Sequence, residues 1–157
     1  AMRFLRLAFR ISGLRRSCGV IESMLAHCRF RIESSRLAAA IEYLTGLDRA
    51  AVAAHESDLL DYAAEELLRI PGLRMIGTAA AKIGGHSFVL AGVHAHDVAS
   101  VLDGEGIAVR AGHHCAQPVL RRFGVAATVR ASFGLYNRRD DVDRLLEGLA
   151  AVRRLFG

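Results

Sequence analysis

The sequence predicts one soluble α/β domain of the α+β small-domain kind: a mixed sheet of about four strands covered by helices, with a helical N-terminal extension. Three observations carry this. Short apolar runs of strand character alternate with longer runs of 3.6-residue period across most of the chain. With 157 residues, of which 52% are hydrophobic and 24% charged, the chain is long enough to enclose one core. No apolar run reaches the roughly 18 residues that a bilayer-spanning helix needs, so no transmembrane segment is expected.

Taken in order, Ala1 ahead of Met2 reads as a remnant of a cleaved tag. From Arg3 to Arg16, Phe4, Leu7, Ala8, Ile11 and Leu14 recur at helical spacing while Arg3, Arg6 and Arg10 fall on another face. This is a basic amphipathic helix, packed on its own domain or, alternatively, acting as a transit peptide or membrane-surface helix. A boundary is expected near Ser34-Ser35, dividing a basic extension (1–35) from the main domain (36–157). Two Ala- and Leu-rich helices follow, one through Leu37 to Leu44 ended by Gly46, the other from Val52 to Leu68, capped by Asp48 and stopped by Pro71-Gly72. Leu59, Leu60, Ala63, Leu67 and Ile70 form the apolar stripe of the second helix, and Asp58, Asp61, Glu65 and Glu66 read as solvated charges. Strands are expected over 73–76, 86–91, 107–110 and 128–135, and helices over 95–102, 118–123 and 140–156. The last helix carries a stripe of Val142, Leu145, Leu146, Leu149, Val152 and Leu155.

The net charge of +5 hints at a polyanion, but residues 1–35 hold seven arginines against Glu22 and Glu33, which accounts for all of it. The remainder balances, so nucleic acid is not an expected partner. Three cysteines, Cys18, Cys28 and Cys115, are too few and too scattered for a disulfide framework. They fit free thiols in a reducing, cytoplasmic setting.

Chemistry concentrates in Arg110-Ala-Gly-His-His-Cys-Ala-Gln-Pro118. Gly112 permits a tight turn and Pro118 suits the first turn of a helix, so Cys115 sits on a loop between elements. The neighbouring imidazoles and Arg110 make a positive setting that favours thiolate. From the residues alone Cys115 is either a nucleophile or a small buried apolar residue. Arg130 is either a surface strand residue or a two-pronged ligand for a carboxylate. His94, His96, His113, His114 and Cys115 are also conceivable zinc ligands, although no paired metal-binding spacing is present. His55 and His86 have no distinctive context.

Gly106-Ile-Ala-Val-Arg-Ala-Gly-His-His-Cys-Ala-Gln-Pro118, followed by Arg130-Ala-Ser-Phe-Gly-Leu-Tyr-Asn137, resembles the C-terminal part of group II (SufS-type) cysteine desulfurases and selenocysteine lyases, in the class V aminotransferase family. The resemblance extends back through Gly92–Asp97, Pro71–Gly77 and Leu59–Ala63 to about residue 36. It implies a C-terminal domain like that of fold-type I pyridoxal phosphate (PLP) enzymes. It also implies sulfur mobilisation from cysteine through a persulfide on Cys115, a substrate carboxylate held by Arg130, and flanking roles for Arg110 and His114. PLP is the family's cofactor, but its lysine motif does not match Lys82, the single lysine here, so this chain alone is expected not to bind it or to desulfurate cysteine. Residues 1–35 do not match the family's joining segment. A sulfur-acceptor protein is the implied partner, and self-association through an exposed domain face or the N-terminal helix is expected. The rival expectation is a noncatalytic persulfide carrier or interaction module, with a zinc-binding domain further behind.

Overall fold

The structure, a computed structural model, describes residues 31–157 other than 78, 80, 81 and 83. The helix expected over Arg3 to Arg16, and Cys18 and Cys28 with it, lie outside the described residues. The chain divides after Leu47 into two units. In the first, helix α1 (Arg31–Thr45) ends where the Gly46 N–H donates to the carbonyls of Glu42 and Tyr43. Its Leu37, Ile41, Tyr43 and Leu44 are exposed.

The second unit opens at Asp48, whose carboxylate accepts from the N–H groups of Ala50 and Ala51 and so caps α2 (Arg49–Leu68). Then come β1 (Leu73–Ile76), β2 (Gly85–Leu90), α3 (Ala95–Gly104), β3 (Arg110–Gly112), α4 (Gln117–Phe123), β4 (Thr128–Ser132) and α5 (Arg139–Phe156). His94 caps α3, its ring accepting from the His96 N–H.

Four strands form one sheet in the order β1-β2-β4-β3, with every neighbouring pair antiparallel. The mixed sheet expected from alternating strands and helices is corrected in its pairing but not in its logic. The crossover β2-α3-β3 does join two parallel strands, and β4 inserts antiparallel between them. The third strand also begins later than expected, at Arg110. Ile107 and Val109 face the core from an unpaired approach, and pairing starts only where β4 runs alongside.

Alternation divides the sheet into two faces. His86, Phe88, Leu90, Val129 and Ala131 point to the side covered by α2, α3 and α5, where they join Leu67, Val98, Leu102, Leu145, Leu149 and Val152 in one core. Gly148 lets α5 approach closely, since a Cβ there would stand 2.6 Å from Ile107 and from Leu102. Of the stripes expected on α2 and α5, Leu59, Leu60, Ala63, Leu67, Val142, Leu145, Leu149 and Val152 are buried, Ile70 and Leu146 are half-buried, and Leu155 is 67% exposed. Two of the charges read as solvated are in fact paired, Asp58 with Arg139 and Glu66 with Arg69. No helix among the described residues is long and apolar enough to cross a membrane.

Candidate functional site: Cys115 and an arginine pair

The opposite face carries the site. Along one row of the sheet, Ser87 of β2, Arg130 of β4 and Arg110 of β3 are direct neighbours across the strands. Like charges on directly opposed residues repel each other. Neither makes an ion pair among the described residues, and the buried Nε–H of Arg130 has no partner. The strand residues of this face, from Arg74 and Ile76 through Ser87, Val89, Thr128 and Ser132 to Gly112, include no carboxylate. An anion binding between Arg110 and Arg130 would relieve the repulsion, and a carboxylate matches the guanidinium fork.

Cys115 stands beside this row on a tight turn. The chain leaves β3 at Gly112, where φ is +130°, and doubles back through His113-His114-Cys115-Ala116, the Ala116 N–H donating to the His113 carbonyl at 2.9 Å. His114 (φ +52°) and Cys115 (φ +58°) both occupy the left-handed region. That pattern belongs to type I′ turns and normally uses Asn and Gly. With Cβ atoms present, each residue costs on the order of 1 kcal/mol. The turn leaves the Cys115 thiol free and exposed, presented to solvent.

His114 faces inward. Its Nε2–H donates to the Thr128 carbonyl at 3.2 Å, which leaves Nδ1 a buried acceptor without a partner. Burial pushes its pKa below the ordinary histidine range against the pull of that bond, and the charges of Arg130, Arg110 and His113 act in the same direction as burial. The four residues singled out from the sequence, Arg110, His114, Cys115 and Arg130, therefore converge at one end of the sheet. His94 and His96 do not join them: their rings stack on each other at the start of α3. Among the described residues no three His, Cys, Asp or Glu side chains gather as a metal site would require.

Sequence reasoning missed several contributors. Thr128, 1% exposed, supplies the carbonyl that receives His114, and its own hydroxyl is unpaired. His86, although read as having no distinctive context, is buried in phase with Phe88 and donates to the Leu60 carbonyl at 2.8 Å, tying β2 to α2. Its pKa is lowered, chiefly by burial. His55 donates to the Asn137 carbonyl at 2.9 Å, and Tyr62 to Asp143 at 2.6 Å. The only available signal was the His86-Phe88-Leu90 alternation; the His55 and Tyr62 pairings span 80 residues or more of chain, and that of His114 with Thr128 spans 14.

These residues alone do not fit PLP. Lys82 is half-buried in the β1–β2 connection, and its charge bears on His86, which belongs to the sheet face opposite Arg130. Among the described residues the strands of the arginine face offer no carboxylate that could pair with a pyridine nitrogen.

The fold is of the kind found in solved cysteine desulfurases. The aminotransferase class-V family matches residues 32–145, and the chain belongs to that family. Probable cysteine desulfurase 2 of Mycobacterium leprae is 52% identical over 123 residues, 77% of this chain and 29% of that protein. A probable cysteine desulfurase of Streptomyces coelicolor is 50% identical over 123 residues, with the same shares. Among solved structures, the cysteine desulfurase CsdA of Escherichia coli, in an S-sulfonic acid form, gives a TM-score of 0.72 at 36% identity, covering 77% of this chain and 30% of that one. The apo cysteine desulfurase of Thermococcus onnurineus gives 0.69 at 35%, over 76% and 30%. The chain thus spans 29% of the length of the first curated relatives it matches.

Proposed function

We propose that this chain is the sulfur-accepting, C-terminal portion of a cysteine desulfurase of the group II (SufS-type) subtype, with residues 36–157 as the part that resembles that domain. The observation that carries this is the exposed Cys115 on its left-handed turn beside the Arg110–Arg130 pair. In the net reaction, cysteine and the Cys115 thiol give alanine and a Cys115 persulfide: one C–S bond breaks, one S–S bond forms, and the sulfur moves to an acceptor protein. In this reaction Arg130, assisted by Arg110, holds the substrate carboxylate, and Cys115 as thiolate attacks sulfur.

PLP supplies the activation of the C–S bond in the family, and nothing in the described residues substitutes for it. The chain alone therefore accepts sulfur only from a donor already activated as a persulfide. The Cys115 thiolate takes the outer sulfur of R–S–SH and the donor leaves as R–SH. The test is mass spectrometry of the full chain after exposure to a small-molecule persulfide. At peptide level Cys115 gains one sulfur atom beyond any uptake by Cys18 and Cys28, Cys115→Ser loses that gain, and incubation with cysteine and PLP releases no alanine. Uptake by Cys115→Ser equal to that of the unaltered chain would contradict the assignment.

A noncatalytic partner role is favoured separately by the exposed Leu37, Tyr43 and Leu44 of α1 and, in the second unit, by Leu68, Leu155 and Phe156. Self-association visible by light scattering is its expected signature. We place the chain in the cytoplasm, where Cys115 would stay reduced.

A further inference from the structure

We infer that His114 is a positioning residue for Cys115: its imidazole ties the left-handed turn to β4, the strand that carries Arg130, and so holds the thiol in register with the arginine pair. This deepens the sulfur-accepting reading and rests on it for its functional meaning.

The geometry is a closed clasp. Gly112, where the loop departs, is the cross-strand neighbour of Thr128, and two residues later the His114 ring returns to the carbonyl of the same Thr128. Without that return, a turn with two non-glycine residues in the left-handed region is held by one backbone bond, from Ala116 to His113. Arg130 lies two residues along β4 from the anchor. Anchoring the turn to Thr128 therefore references Cys115 to Arg130 through a rigid strand instead of a free loop. His113, exposed and without a side-chain bond of its own, does not serve this purpose.

The clasp favours a neutral ring: Nε2–H donates to Thr128 in either protonation state, but the clasped position buries the ring beside positive charge. Nε2–H is committed to a carbonyl, and a second proton would fall on the buried Nδ1, with Arg130, Arg110 and His113 all bearing on it and no carboxylate to offset them. The ring stays neutral, and the clasp closed, at and above the ordinary histidine pKa of about 6.5. Acid favours its opening.

The test uses the full chain and needs no sulfur transfer, so it can fail or succeed independently of the persulfide assignment. Protection of the Ala116 amide from hydrogen exchange, and the pH profile of Cys115 alkylation by iodoacetamide, are compared in the unaltered chain, His114→Ala and His113→Ala. Losing one hydrogen bond in His114→Ala lowers Ala116 protection by about tenfold. In that variant the β4 amides keep theirs, and the step that protection shows in the unaltered chain as pH falls below about 6.5 disappears. His113→Ala keeps both the protection and the step. Unchanged Ala116 protection in His114→Ala, or an equal loss throughout β4, overturns the proposal. Should His114→Ala fail to fold, His114→Asn, whose side chain suits the left-handed region but lacks the ring, decides the matter: loss of the acid step supports the clasp and its survival overturns it.

Discussion

The two faces of the four-stranded sheet are built from the same short strands, yet they follow opposite rules. On the helix-covered face, Phe88, Val129, Leu149 and Val152 are wholly buried, and the polar intruder His86 places Nε2 on a carbonyl and leaves only Nδ1 unpartnered. On the other face, one residue away along each strand, two arginines stand opposed without an acid, and Arg130 Nε and Thr128 Oγ1 are buried without partners. At its margin, two consecutive non-glycine residues hold left-handed angles. The first face stores stability. The second withholds it at the proposed site, as local rules are broken at functional sites in general.

Substitutions can break that comparison, and the largest effect belongs to the packed face. Phe88→Ala leaves a cavity in the centre of the core and should destabilise the domain by about 3–5 kcal/mol in denaturant unfolding. Arg130→Ala, one strand over and one face away, should cost no more than about 1 kcal/mol while abolishing carboxylate recognition. Next comes Gly148→Ala, which forces a methyl group into Ile107 and Leu102 and should cost about 1–3 kcal/mol.

The pH dependence is smaller and sharpens the contrast, because each side of the sheet has one histidine with a lowered pKa, His86 buried and His114 half-buried. His86 and His114 both have lowered pKa values, chiefly from burial, so the unfolded chain binds more protons than the folded one as pH falls. Their stabilising contribution is complete above about pH 6.5 and is lost progressively below it. Unfolding midpoints should therefore drop on acidification, and His86→Gln should flatten part of that slope. The smallest effect is a gain: Arg110→Ala removes a like-charge cross-strand pair and should stabilise the domain by about 0.2–1 kcal/mol at low salt. A clear loss instead would mean that the pair is already neutralised.

How much of this was legible depends on the range of the interaction involved. The Asp48 cap, the stripe of Leu59, Leu60, Ala63 and Leu67, and the strand over 73–76 are local patterns, and the structure repeats them. The placement of β4 between β2 and β3 is not local, so neither the all-antiparallel pairing nor the late start of β3 could be read from periodicity. The site residues Cys115 and Arg130 were visible because their flanking residues resemble a family. Their neighbourhood was not visible, because the Arg110–Arg130 pairing depends on strand register, and the bond from His114 to Thr128 crosses 14 residues. His86 and His55 were passed over for the same reason: the carbonyls they reach lie 26 and 82 residues away.

The central claim is that the Cys115 thiol and the opposed arginines act as one site, and the most direct test gives Cys115 a choice of sulfur donors. Rates of persulfide formation on the full chain are measured with a carboxylate-bearing donor, cysteine persulfide, and with a carboxylate-free thiol persulfide of similar size. Charged hydrogen bonds of the expected strength predict a preference of about ten- to a hundredfold for the carboxylate-bearing donor, lost in Arg130→Ala. Equal rates with both donors in the unaltered chain, or a preference that survives Arg130→Ala, would contradict it.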